Sequence, residues 1–227
     1  MSKALIDEKA SPFSHCMTVA EASRREPVDR AVFVIDDDEQ SRGSVCALAE
    51  SMGLPCRPFA SAEEFLDEYQ EGQRGCVVTD LRLRGLSGLE LQETIARRQW
   101  PLPMVMVTAY PRTATTVRAV KNGAIAVLEK PYHEDELWEA IRVAMAEEPR
   151  WHAQYQRRRE LRARMELLTP DERKVIDMLV EGRPNKSIAQ ELGVSLRTIE
   201  NRRHAVFSKM QAGSIAELVR MVMEVSG

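Results

Sequence analysis

The chain has 227 residues, 44% of them hydrophobic, and a formal net charge of -3. That length suits one large domain or two small ones, and no apolar run approaches the ~20 residues a bilayer-crossing helix needs. The charge is unevenly divided: from Arg150 onward 15 Lys and Arg stand against 10 Asp and Glu, whereas residues 1–149 hold 17 against 25. An acidic front and a basic back suggest two domains with different partners, the basic one a candidate for nucleic acid that a balance of +5 does not establish by itself. The N-terminus lacks a charged-then-apolar export signal, so a cytoplasmic protein is expected. Cys16, Cys46, Cys56 and Cys76 show no C-x-x-C spacing. Neither a zinc site nor a disulfide framework is expected, and Cys46 and Cys76 read as single buried thiols.

Residues 1–30 carry few periodic apolar positions and read as a flexible tail. From Ala31 short apolar runs alternate with amphipathic stretches. The runs are AVFVI (31–35), CRPF (56–59), CVVT (76–79), MVMVT (104–108) and AVLE (126–129). The amphipathic stretches cover about 40–52, 61–70, 88–98, 112–122 and 134–147. Nearly continuous apolar strands separated by helices predict a parallel sheet covered on both faces. With right-handed crossovers this is a doubly wound, flavodoxin-like (βα)5 domain over 31–149. Pro149 is expected to close it. Residues 150–167 read as a helical linker, and over the charged stretch 150–168 Leu161, Met165 and Leu168 recur at four and three residues. Two readings of that stripe stay open, a solvated linker and a dimerising coiled coil.

The remainder, 168–227, reads as four short helices. Thr169, Pro170 and Glu172 form a capping-box start and Gly182 a stop. Ser195 caps a longer basic helix, and Ser214 with Glu217 forms a further capping box. Two short helices, a turn at Gly193 and a basic helix fit a helix-turn-helix domain. On the basic helix Ile199, Val206 and Met210 share one face, while Arg197, Asn201, His204 and Ser208 occupy the opposite one. A plain surface helix of a bundle has the same pattern, so periodicity alone leaves that alternative open.

In doubly wound sheets ligands sit beyond the carboxyl ends of the strands. That rule gathers Asp36, Asp37, Asp38, Asp80, Thr108 and Lys130 on one rim. Three consecutive aspartates at the mouth of a hydrophobic strand need positive charge close by. A hard divalent cation with oxygen ligands, Mg²⁺, would supply it and would let Asp80 accept a phosphoryl group. Asp38 reads as a solvent-facing residue or as the cap of the first helix. His133 and His152 lack metal-spaced companions, and Trp138 reads as core or as part of a dimer face.

The segments VIDDDE, VVTDLRLRGLSG, VTAY and LEKPY, in this order and spacing, resemble the signature of response-regulator receiver domains. The resemblance implies that Asp80 is the phosphoacceptor and that Asp36 and Asp37 are an acidic pair. It further implies Mg²⁺ held by Asp37, Asp80 and the backbone carbonyl of Arg82, with Thr108 and Lys130 binding the phosphoryl group and a cis Lys130–Pro131 bond. Two positions depart from the family: Arg84 stands where proline is usual, and Val127 where an aromatic residue is frequent. The stretch LTPDERKVIDMLVEGRPNKSIAQELGVSLRTIENRRHAVFSKMQAGSIAELVRM is similar to the LuxR-type DNA-binding domain. The pair together resembles response regulators of the FixJ/NarL type, most of all the FixJ-like branch. By that resemblance Glu200, Asn201 and His204 would meet base edges, and Lys186, Arg197, Thr198 and Arg202 would meet phosphates. A sensor histidine kinase, double-stranded promoter DNA, RNA polymerase and a second copy of the chain are the implied partners, with no membrane. The expected function is phosphorylation-dependent transcription control, and not an enzyme. The alternatives are a phosphorylation-independent interaction module and a phosphatase, since Asp36 and Asp38 give a D-x-D spacing. The phosphatase reading leaves the last 60 residues unexplained.

Overall fold

The computed structural model of the chain describes residues 30–226. The tail expected over 1–30 lies outside the described residues, apart from Arg30, as does Cys16. Five parallel strands form one sheet in the order β2-β1-β3-β4-β5. They are β1 (Arg30–Ile35), β2 (Cys56–Phe59), β3 (Arg74–Asp80), β4 (Met104–Thr108) and β5 (Ala126–Glu129). Between them run α1 (Glu39–Ser51), α2 (Ala62–Glu68), α3 (Gly88–Arg97) and α4 (Thr113–Lys121). Each strand coincides with an expected apolar run to within two residues, because both faces of a parallel sheet are buried.

Alternation within β1 shows how the sheet feeds two cores. Phe33 and Ile35 join Phe65, Tyr69, Leu91, Ile95 and Met106 beneath α2 and α3. Val32 and Val34 join Val45, Val78, Val107, Leu137 and Ile141 beneath α1 and the fifth helix. Phe33, Phe65 and Ile141 are fully buried, and each such side chain contributes about 1.5–3 kcal/mol.

The fifth helix, α5 (Glu134–Glu166), is 33 residues long and runs through Pro149. The sequence reading placed a stop there; the structure corrects it. Proline removes one helical hydrogen bond, but tertiary contacts on both sides hold the axis. Glu148, fully buried, takes Arg74 Nε and Nη2 at 2.7 and 2.8 Å, with Arg30 at 3.7 Å. Farther on, Tyr155 donates to Glu71 and Arg162 to Gln99, both in the α/β domain.

Four helices follow: α6 (Pro170–Val180), α7 (Asn185–Glu191), α8 (Leu196–Met210) and α9 (Ile215–Ser226). The expected caps at Thr169 and Ser195 are present, with Thr169 Oγ1 accepting from Glu172 N and Ser195 Oγ from Thr198 N. At Ser214 the hydroxyl accepts from Glu217 N, but the Glu217 carboxylate takes Gly213 N instead of closing the expected box. Leu161 and Leu168 are buried with Val175, Ile188, Ile199, Val206 and Leu218, and Met165 packs against them. The stripe on the linker is therefore neither a solvated face nor a free coiled-coil seam. It is one wall of the C-terminal core.

Cys46 and Cys56 are joined by a disulfide, with Cα atoms 5.3 Å apart. This overturns the reading of Cys46 as a single thiol. A helix-to-strand contact brings the pair together, and cysteine spacing alone carries no trace of that. Cys76 is a buried free thiol, and burial pushes it up to about 12. Among the described residues no helix is long and apolar enough to cross a membrane.

Candidate functional site

The parallel register aligns the carboxyl ends of β1, β3, β4 and β5. Ile35 faces Thr79, Asp80 faces Val107, and Thr108 faces Glu129. The residues following these ends therefore share one rim. Gly88 opens α3 there, and a Cβ at that position would sit 2.4 Å from the Asp80 carbonyl oxygen. Only glycine lets this helix approach the strand end so closely.

Lys130 is the hub of the rim. Its Nζ lies 2.8 Å from Asp36 Oδ2, 2.8 Å from Asp80 Oδ2 and 3.0 Å from Ser41 Oγ. The peptide bond after it, Lys130–Pro131, is cis, as the resemblance implied. Burial alone would lower the Lys130 pKa, but the hydrogen bonds to the two aspartates outweigh it and hold it above the ordinary value. The second oxygens of both carboxylates are also engaged: Asp36 Oδ1 accepts from Asp38 N at 2.9 Å, and Asp80 Oδ1 from Arg82 N at 2.7 Å. Asp38 caps α1 through Ser41 N, the second of its two expected roles.

Asp37 points elsewhere, 3.0 Å from Arg84 Nε. The arginine in the usual proline position thus supplies a cation to the acidic pair. Thr108 is buried, and its Oγ1 accepts from Tyr110 N at 3.2 Å. Tyr110 is exposed, with the Arg82 guanidinium 4.7 Å from its ring centroid. The structure thus groups Asp36, Asp80 and Lys130 tightly, with Thr108 and Asp37 at the edge. Sequence reasoning missed Ser41 and Arg42, whose Nη1 donates to the Asp36 carbonyl at 2.6 Å. Their only signal was position in the first turn of a helix capped at the acidic run.

Among the described residues no three His, Cys, Asp or Glu side chains are grouped closely enough to hold a metal ion. In kind, however, the donors suit a hard cation, being carboxylates and a carbonyl on adjoining loops. The carboxylates are neutralised in this arrangement by Lys130 and Arg84 instead.

On the C-terminal domain Lys186, Arg197, Glu200, Asn201 and His204 are exposed. Thr198 is half-buried against Ser195, and Arg202 is paired with Asp171 of α6. Arg203, the neighbouring cation, donates to Asn185 Oδ1 at 3.2 Å and lies over the Phe207 ring. Ile199, Val206 and Met210 are buried, so one stripe of α8 seats the helix and the other faces outward. That division suits insertion into a major groove.

A doubly wound domain with a basic-carboxylate rim, joined by a long helix to a four-helix DNA-binding fold, defines a two-domain signalling regulator. Residues 32–142 match the response regulator receiver domain, and residues 166–222 match the bacterial regulatory proteins of the luxR family. The chain is 39% identical to the transcriptional regulatory protein FixJ of Azorhizobium caulinodans over 197 residues, which is 87% of this chain and 93% of that protein. It is also 39% identical to nodulation protein W of Bradyrhizobium diazoefficiens, covering 84% of each. The response regulator StyR superposes with a TM-score of 0.60 at 35% identity, covering 86% of this chain and 99% of StyR. Full-length FixJ from B. japonicum gives 0.50 at 37% identity, covering 87% and 97%. The chain belongs to the FixJ-type response regulators, transcription regulators of two-component systems with a LuxR-type helix-turn-helix.

Proposed function

We propose that Asp80 accepts a phosphoryl group from a sensor histidine kinase and that this modification raises promoter binding by the C-terminal domain. The single observation that carries the reading is the Lys130 ammonium bridging Asp36 and Asp80 at 2.8 Å each. One Asp80 oxygen attacks phosphorus, the bond to the donor's histidine nitrogen breaks, and an acyl phosphate forms. Lys130 then moves from balancing the carboxylates to balancing the phosphoryl oxygens. The Thr108 hydroxyl, now accepting from Tyr110 N, turns to donate to a phosphoryl oxygen, and the loop 109–113 follows it. With Val127 in place of an aromatic residue, that loop and α4 carry the signal.

Mg²⁺ would be held by Asp37, Asp80 and the Arg82 carbonyl, with Asp36 beside them, and would neutralise charge at the transferring group. The modified form dimerises and sets two α8 helices on adjacent half-sites. Glu200, Asn201 and His204 read base edges, while Lys186, Arg197, Thr198 and Arg202 hold phosphates. Contact with RNA polymerase completes the output. A regulator that works on promoters works in the cytoplasm.

The test uses the full chain with and without acetyl phosphate. Wild type is expected to gain the mass of one phosphoryl group, shift toward dimer and bind promoter DNA more tightly. Asp80→Asn is expected to do none of these. Equal DNA affinity with and without phosphodonor would instead mean a phosphorylation-independent module.

A further inference from the structure

The disulfide Cys46–Cys56 sits in a protein whose partner is DNA, and cytosolic thiols are kept reduced by glutathione and thioredoxin. Disulfides that do form there in mesophiles are transient, catalytic or redox-sensing rather than structural. Both cysteines are half-buried at the margin of the second core, neither sealed in it nor fully exposed. The third described thiol, Cys76, is fully buried and its pKa is pushed up to about 12, which leaves it unreactive.

The bond also has a place in the signalling architecture. Cys46 is on α1, and Cys56 opens the edge strand β2, ten residues later. The same helix carries Ser41, whose Oγ takes Lys130 Nζ, and Arg42, which donates to the Asp36 carbonyl. A crosslink between α1 and the sheet therefore fixes the element that positions two partners of the rim. Phosphoryl transfer depends on such positioning more than on covalent help from the protein.

We propose that Cys46 and Cys56 are a reversible thiol–disulfide modification site through which the glutathione pool tunes phosphorylation of the rim. Opening proceeds by attack of a glutathione thiolate on one sulfur, giving a mixed disulfide and a cysteine thiolate. A second glutathione releases the other cysteine, so two electrons pass to the protein and one glutathione disulfide leaves. Closure is the reverse exchange with glutathione disulfide. The closed form holds α1 in register and takes phosphoryl groups faster. The exchange chemistry stands by itself; only its consequence rests on Asp80 being the acceptor.

The experiment equilibrates the full chain in buffers of varied reduced and oxidised glutathione. After acid quench and alkylation, mass spectrometry reads the linked and alkylated Cys46 and Cys56 peptides. The same samples are timed for phosphoryl uptake from acetyl phosphate. The pair is expected to titrate between linked and free forms, and the linked form to be modified roughly three-fold faster or more. Cys46→Ser and Cys56→Ser should show the slower rate at every ratio. Free thiols at every ratio, or equal rates for the two forms, overturn the proposal. No phosphoryl uptake in either form overturns the acceptor reading and the coupling built on it, while the thiol titration stands or falls separately.

Discussion

Lys130 and Glu172 show how single residues govern the two halves. At the rim, one ammonium balances two carboxylates that would otherwise repel each other. In the C-terminal domain Glu172 completes the capping box of α6 and also takes Lys209 Nζ at 2.7 Å. Burial would raise the Glu172 pKa, but Lys209 and the Thr169 groups outweigh it and hold it below its ordinary 4.5. A depressed carboxylate contributes stability at pH values above 4.5, and that contribution disappears as pH falls through the lower folded value. The thermal midpoint of the C-terminal domain should therefore fall, on acidification from above pH 4.5 to below the depressed folded value, by more in wild type than in Lys209→Ala. At pH 7 the same substitution should cost about 0.5–1 kcal/mol, since Lys209 is one-third exposed and solvent screens the pair. Asp36, Asp80 and Lys130 were legible in the sequence because strand ends and the sheet's ligand rule mark them. Arg84 pairing with Asp37 was not, since a loop residue's direction depends on the backbone around it.

At the scale of elements, α5 departs most from what its sequence suggests. Its middle contains Pro149, a residue that usually ends or kinks a helix, yet the helix spans Glu134–Glu166. Its last two turns belong to the C-terminal core, where Leu161 is fully buried. Leu161→Ala should therefore destabilise the DNA-binding half by about 2–5 kcal/mol, as read by its own transition in urea. An unchanged transition would mean the linker end is free of that core. The strands and capped helices were read to within a residue or two, because hydrophobic alternation and Ser/Thr caps are local signals. The linker stripe was visible as a period but not as a partner, since a heptad-like spacing describes a face and not what covers it.

Across the whole molecule, one buried ion pair ties α5, just ahead of the linker, to the receiver sheet. Glu148 is fully buried against Arg74, with Arg30 nearby. Glu148→Ala strands the Arg74 charge and should cost about 3–5 kcal/mol in full-chain denaturation. The double substitution with Arg74→Ala should recover part of that loss, because no unpaired charge then stays behind. A single substitution as mild as a surface change would mean that α5 is held by other contacts.

What the amino-acid order determined by itself was everything periodic or terminal: five apolar strands, their crossover helices, the helix starts at Thr169 and Ser195, and the acidic and basic halves. These follow from interactions among neighbours along the chain, where spacing alone says which side chains share a face. The pairing of Cys46 with Cys56, the continuity of α5 past Pro149, the burial of the linker stripe and the turn of Asp37 toward Arg84 were decided only in three dimensions. Each brings together groups from different elements, and their energies depend on distances that no local pattern encodes.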